Sequence, residues 1–132
     1  LEVPEDDRIG EENKGFYYLL DSLNPERILI AAEALGIGRS ALNRAVDYAN
    51  NRIIFDRPIG KNQSIQHPLA ENWVELEAAE LLILKAAFQY DNGENSGGLA
   101  NAVKYFAAEA AFKAANQAGI SMVFTGVRHF RH

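Results

Sequence analysis

One short stretch gathers most of the residues able to do chemistry: Arg52-Ile-Ile-Phe55-Asp-Arg-Pro58-Ile59-Gly60-Lys61-Asn62-Gln63-Ser-Ile65. A guanidinium offers a planar fork of donors that fits a diphosphate. Phe55, Ile59 and Ile65 could line a ring system, and Asn62 and Gln63 could read the edge of a base. Together they suit an anionic, partly apolar, planar ligand. Each also has a plainer structural reading. Arg52 falls where a helix should end, and a cation there is favoured by the macrodipole. The three apolar residues could cover the end of a bundle, and the two amides could cap the next helix.

Glu26 follows Asn24-Pro25, a sequence that reads as a helix N-cap, a proline at the first helical position and an acid in the first turn. The helix dipole would stabilise its anion, a structural preference that by itself is a weak reason to name a base. His67, His129 and His132 are too scattered for a metal-ligand or triad spacing. With no cysteine in the chain, a thiolate nucleophile, a disulfide framework and Cys-ligated zinc are excluded. No G-x-G-x-x-G, Walker A or G-x-S-x-G motif occurs. No metal site is expected.

The elements that must position these residues are helical. Phe16, Tyr17, Leu19 and Leu20 stand at helical spacing, and a long helix is expected from Asn24 to about Arg52. Its core stripe is read as Ile28, Leu35 and Leu42 at intervals of seven, flanked by Ala31, Ala32, Val46 and Ala49. Gly36 and Gly38 each cost about 1 kcal/mol of helix propensity, with close packing as the expected compensation. A second helix is established by Pro68 and runs to about Tyr90, with Leu69, Trp73, Leu76, Ile83, Ala87 and Tyr90 on one face. Leu81, Leu82, Leu84 and Phe88 lie off that face, so the helix should pack on two sides. The turn cluster Asp91 to Gly98 precedes a third, Ala-rich helix from Leu99 to Ala118, closed by Gly119. Three such helices give an all-α, up-down bundle, and their wide apolar faces call for a fourth helix from the same chain or a partner.

Residues 1–13 read as an extended strand exit and a charged loop, residues 14–119 as the bundle, and residues 120–132 as a tail of different character. Met122-Val123-Phe124 is β-prone, and Arg128 to His132 is basic. The chain has 132 residues, 48% of them hydrophobic and 23% charged, with a net charge of −5. That places it with globular proteins and against a nucleic-acid-binding role. No apolar run reaches bilayer-spanning length, and the cytoplasm is the default compartment. The first residue is Leu1 rather than methionine, so the sequence reads as a piece of a longer polypeptide.

Asn24-Pro-Glu-Arg27-Ile-Leu-Ile-Ala-Ala-Glu-Ala-Leu-Gly36-Ile-Gly38, followed by Ala45-Val-Asp-Tyr-Ala-Asn-Asn-Arg52-Ile-Ile-Phe55-x-Arg-Pro-Ile-Gly60-x-x-Gln63-x-Ile-Gln-x-x-Leu69-Ala70, strongly resembles the C-terminal helical domain of the acyl-CoA dehydrogenases. Val3-Pro4 and Arg8-Ile9-Gly10-Glu-Glu-x-Lys14-Gly15-Phe16 resemble that family's passage from its middle β-domain into the bundle. The resemblance implies an FAD-dependent α,β-dehydrogenation of an acyl-CoA thioester by the full-length enzyme. It further implies a homodimer or homotetramer, with electron-transfer flavoprotein as a possible acceptor. Arg52 would contact the FAD pyrophosphate of a neighbouring subunit, with Phe55, Ile59, Asn62, Gln63 and Ile65 around the adenosine side. This part alone would be inactive and would not retain the flavin. The rival is a non-catalytic helical dimerisation module derived from the same fold.

In a minority of the family the catalytic base is a Glu in the first turn of the long helix, the location that Glu26 occupies. In most members it lies beyond a Gly-Gly-x-Gly-Tyr segment after the third helix. Here Ile120 to His132 stand instead, which suggests a truncated, misread or frameshifted gene. Asp56 stands where the family usually has glycine, a change the loop tolerates if φ is negative there.

Overall fold

The computed structural model describes residues 2–119, and the expected all-α bundle is borne out. Helix α1 spans Gly15–Asn51, α2 Gln63–Asp91 and α3 Gly97–Gln117. Between α1 and α2 lies a minimal hairpin, β1 (Ile53–Ile54) against β2 (Arg57–Pro58), and one 3-10 turn, Ile59–Lys61. A second 3-10 turn at Glu5–Asp7 takes the place of the expected strand exit, and among the described residues no strand forms before Ile53.

The long helix starts earlier than expected. Gly15 to Ser22 and the segment from Asn24 form one helix of 37 residues, about 55 Å at 1.5 Å per residue. Pro25 therefore sits in the interior, where it withdraws one N–H from the ladder. Asn24 is buried rather than capping. Its Nδ2 donates to Asp21 Oδ1 (3.3 Å), and its Oδ1 accepts from Arg27 Nη1 (2.9 Å). The dipole argument for Glu26 falls with this: Glu26 is the twelfth residue of α1, beyond the first turn to which the N-terminal field is confined.

The buried positions of α1 are Asn24, Ile28, Ala31, Leu35, Gly38, Ala41, Leu42 and Ala49. Apart from Ala41 they step by alternating threes and fours, with half-buried Ala45 completing the row. This is the seam of a coiled-coil-like packing. Ala32 and Val46, expected on the stripe, lie just off the narrow seam and are exposed. On α2 the same rhythm runs through Asn72, Leu76, Ala79, Ile83 and Ala86. The broader face drawn from the sequence is corrected here, because Trp73 and Tyr90 point outward while Leu69 and Ala87 pack at the border of the core. Helix α3 contributes Ala100, Val103, Ala107, Ala110, Ala111, Ala114 and Ala115, so the helices approach over small side chains. Gly119, at φ +70°, ends α3 as expected.

Gly38 and Gly36 separate packing from propensity. A Cβ on Gly38 would lie 2.7 Å from Leu76 Cδ2 and 2.9 Å from Ala111 Cα, whereas one on Gly36 would meet nothing within 4 Å. Close packing therefore compensates only Gly38. Gly36→Ala is expected to raise stability by about 1 kcal/mol, and Gly38→Ala to lower it by about 1–2 kcal/mol despite its better helix propensity. Urea melts of the two variants check both signs.

Asn72 is wholly buried, with Nδ2 donating to Gln117 Oε1 at 2.6 Å and Oδ1 without a donor. An unsatisfied buried oxygen costs more than one hydrogen bond returns. Asn72→Leu is expected to gain about 1 kcal/mol in the same melts, because exposed Gln117 regains water. Outside the core, two ion clusters tie the helices: Arg39 with Glu77 and Glu80, and Lys113 with Glu71 and Glu75, all at 2.7 Å. The Arg39 hydrogen bonds hold the Glu80 carboxyl below the ordinary glutamate range, and the Glu71 and Glu75 carboxylates raise Lys113.

Several large apolar side chains remain exposed on all three helices, among them Leu29, Ile37, Trp73, Leu81, Leu84, Phe88 and Tyr105. Of the residues expected on the second packing side of α2, Leu82 packs at the border of the core, whereas Leu81, Leu84 and Phe88 are not covered by the described residues.

Candidate functional site

The hairpin is closed by Phe55 and Asp56, both in the left-handed region (φ 52° and 62°), as a two-residue hairpin turn with two positive φ values requires. The condition under which Asp56 would be harmless is thus not met. Aspartate tolerates this region better than most residues, yet glycine does so without a Cβ penalty. Asp56→Gly is expected to raise the thermal midpoint, with a gain of about 1 kcal/mol.

Phe55 is 94% exposed, which overturns its reading as cover for the bundle end. A bulky side chain at positive φ, held out from the protein, is an unusual arrangement. Arg52 closes α1: its N–H donates to the Tyr48 carbonyl (2.8 Å), and its own carbonyl accepts from Ile59 N–H (2.9 Å). The backbone at Arg52 is thereby fixed on both sides. Its guanidinium is exposed and forms no ion pair or hydrogen bond among the described residues. The position at the helix end agrees with the dipole reading, but the five guanidinium donors remain available.

Asn62 occupies the N-cap position of α2 without capping it. Its Nδ2 donates to the Ile59 carbonyl (3.0 Å), and its Oδ1 accepts from Arg57 Nη2 (2.8 Å). Asn62 thus stiffens the linker, and both ends of its amide are engaged. Gln63, the first residue of α2, is exposed, and its amide is uncommitted among the described residues. Gln66 Nε2 donates to the Gly60 carbonyl (2.8 Å). Arg57 and Gln66 were not singled out from the sequence. A polar side chain one turn inside a helix that follows a Gly turn was the available signal.

Ile59 and Ile65 are half-buried and line a groove of about 610 Å³ with Arg44, Tyr48, Pro68, Leu69 and Gly119. The bundle-cover reading therefore fits these two residues but not Phe55. The linker joins them to a basic surface, with Arg52, Arg57 and Lys61 against the single acid Asp56 in a chain of net charge −5.

Glu26 is not brought to this corner. It is exposed on α1, in the same turn as a cleft of about 310 Å³ lined by Tyr17, Leu20, Asp21, Asn24, Arg27, Gly97 and Asn101, and it does not itself line that cleft. Among the described residues, no group of three or more His, Cys, Asp or Glu side chains could hold a metal ion. No described helix is long and apolar enough to cross a membrane. His67 is exposed, whereas His129, His132 and the tail read as divergent lie outside the described residues.

Residues 13–120 match the family model of the acyl-CoA dehydrogenase C-terminal domain. The chain is 45% identical over 129 residues to acyl-CoA dehydrogenase fadE12 of Mycobacterium bovis, a match covering 96% of this chain and 33% of the relative. Its fold is similar to butyryl-CoA dehydrogenase from Megasphaera elsdenii, with a TM-score of 0.81 at 38% identity over 88% of this chain and 30% of that one. PigA, solved with FAD and proline, is similar at a TM-score of 0.80 and 25% identity over the same shares of each chain. The chain belongs to the acyl-CoA dehydrogenase family, as its C-terminal domain. It spans about a third of the length of the curated relatives it matches.

Proposed function

We propose that this chain is the C-terminal bundle of an FAD-dependent acyl-CoA dehydrogenase, and that the whole protein removes the α and β hydrogens of an acyl-CoA thioester. The observation that supports this most is the linker, which lies inside the family-matched segment. It presents a guanidinium and an outward Phe55 ring beside the braced hairpin, and a Gln63 amide at the start of α2, with neither polar group paired among the described residues.

These residues fit a flavin dinucleotide. Arg52 would hold the pyrophosphate through its planar fork of donors. Phe55, Ile59 and Ile65 would offer apolar surface to the adenosine side, Gln63 would hydrogen-bond it, and Asn62 would keep the turn in shape. When bound, FAD supplies the acceptor for the β-hydrogen, and the protein supplies the base and the alignment. We assign the base to Glu26, which the sequence resemblance aligns with the alternative position in the family, although here it is the twelfth residue of α1 rather than in its first turn. Turnover of a Glu26→Gln variant is its test.

The outward direction of Phe55 and Arg52 favours a flavin held by another subunit, hence a homodimer or homotetramer. Electron-transfer flavoprotein is the proposed oxidant of the reduced cofactor. The second reading, a non-catalytic interaction module, draws on the exposed apolar side chains of α1, α2 and α3. Purified full-length protein with a flavin absorbance spectrum supports the dehydrogenase. A colourless protein that takes up no added FAD supports the module.

A further inference from the structure

We propose that Asn92 is a site of self-modification: its side-chain amide is converted through a cyclic succinimide to isoaspartate, and the change undoes the cap of α2. Asn92 is the chain's only asparagine followed by a glycine. The reaction needs that neighbour, because the nucleophile is the backbone nitrogen of the next residue and a glycine puts no Cβ in its way. Residues Asp91 to Asn95 are all exposed, and a Cβ at Gly93 would meet nothing within 4 Å, so the turn is open to water and has room to rearrange.

The chemistry uses only this dipeptide and water. The Gly93 nitrogen gives up its proton and bonds to Asn92 Cγ, the Cγ–Nδ2 bond breaks, and ammonia leaves with the proton. Water then opens the ring at either carbonyl, leaving the chain to run through the main-chain carbon as aspartate or through Cγ as isoaspartate. No electrons are exchanged.

In the native geometry both reacting groups are held. Asn92 is the C-cap of α2 (φ −85°, ψ 4°), and Gly93 follows at φ +70°. Gly93 N–H donates to the Tyr90 carbonyl (3.0 Å), Glu94 N–H to the Gln89 carbonyl (2.9 Å), and Asn92 Nδ2 to the Phe88 carbonyl (2.7 Å). The first two bonds form a Schellman motif. Conversion therefore starts from a frayed helix end, the kind of opening that costs least in a folded protein. The product does not restore the motif. Isoaspartate inserts a methylene into the backbone ahead of Gly93, so the two cap bonds lose their register, and the Nδ2 donor is gone. Its new carboxylate stands at the negative end of the macrodipole, beside Asp91 and Glu94, and the last turn of α2 has no basic residue to offset it. The inference does not depend on the proposed activity.

Full-length protein is held in mildly alkaline buffer, folded and in urea, and its asparagines are followed by peptide mapping with mass spectrometry. Asn92 is expected to convert before every other asparagine of residues 1–132, with isoaspartate as the main product. The folded protein should trail the denatured one by no more than about hundredfold, the factor for a local opening of about 2.8 kcal/mol. In the converted fraction the Gly93 and Glu94 amides should exchange hydrogen faster than in the parent. A lag beyond that factor overturns the proposal, because conversion would then wait on unfolding of more than the helix end. Earlier conversion at another asparagine, aspartate as the main product, or unchanged exchange at Gly93 and Glu94 also overturns it.

Discussion

Full-length protein carrying Glu26→Gln is expected to turn over acyl-CoA at least 100-fold more slowly than its parent while retaining its flavin spectrum. A positioned general base contributes about 10²–10⁴-fold, and glutamine keeps the size of the side chain while losing the basic oxygen. The fold should not register the change. Glu26 is exposed in the interior of α1, with no hydrogen bond or ion pair among the described residues, and surface substitutions of that kind usually stay within about 0.5 kcal/mol. Loss of rate would therefore report chemistry rather than unfolding. Turnover within a few-fold of the parent would remove Glu26 and move the base beyond residue 119.

Arg52→Ala in the same protein is expected to weaken FAD binding about 100-fold, read by flavin fluorescence during titration of the apoprotein. Hydrogen bonds to charged groups contribute about 1.5–3 kcal/mol, and about 3 kcal/mol corresponds to two orders of magnitude in affinity. The structure supplies the reason the effect should be confined to binding. The backbone of Arg52 is anchored by Tyr48 and Ile59, whereas its guanidinium makes no hydrogen bond or ion pair among the described residues. Only a helix-end cation is lost on the stability side, about 0.3–1 kcal/mol. Arg52→Lys should recover part of the affinity, because an ammonium keeps the charge but not the planar fork.

Much of this arrangement is legible in the sequence because helical spacing is a strong signal. Ile28, Leu35 and Leu42 mark the α1 seam without reference to coordinates, and Gly119 marks the end of α3. What was not legible depends on partners distant in sequence. Asn24-Pro25-Glu26 has the form of a helix start, but the preceding Gly15 to Ser22 segment is itself helical, and Asp21 and Arg27 absorb the Asn24 amide. Trp73 looks like core by hydrophobicity alone. The alanine-lined contact with α3 is too narrow to take it, and Leu76 and Ala79 fill the seam instead.

The candidate site divides in the same way. The linker's place between two helices follows from Pro58-Ile59-Gly60, and the family resemblance supplies the meaning of Arg52 and Gln63. The positive φ of Phe55 could not be read from a bulky residue type that rarely adopts it, whereas at Asp56 the family's usual glycine was a signal. Nor could the bracing of the turn by Arg57 on Asn62 and by Gln66 on Gly60, which depends on how α2 emerges from the linker.

The most direct test is an anaerobic titration of the purified full-length protein with saturated acyl-CoA thioesters of several chain lengths, followed by flavin absorbance. At least one thioester should bleach the oxidised flavin and yield the corresponding enoyl-CoA. A flavin that stays oxidised against every thioester, or a protein that binds no flavin, would contradict the assignment.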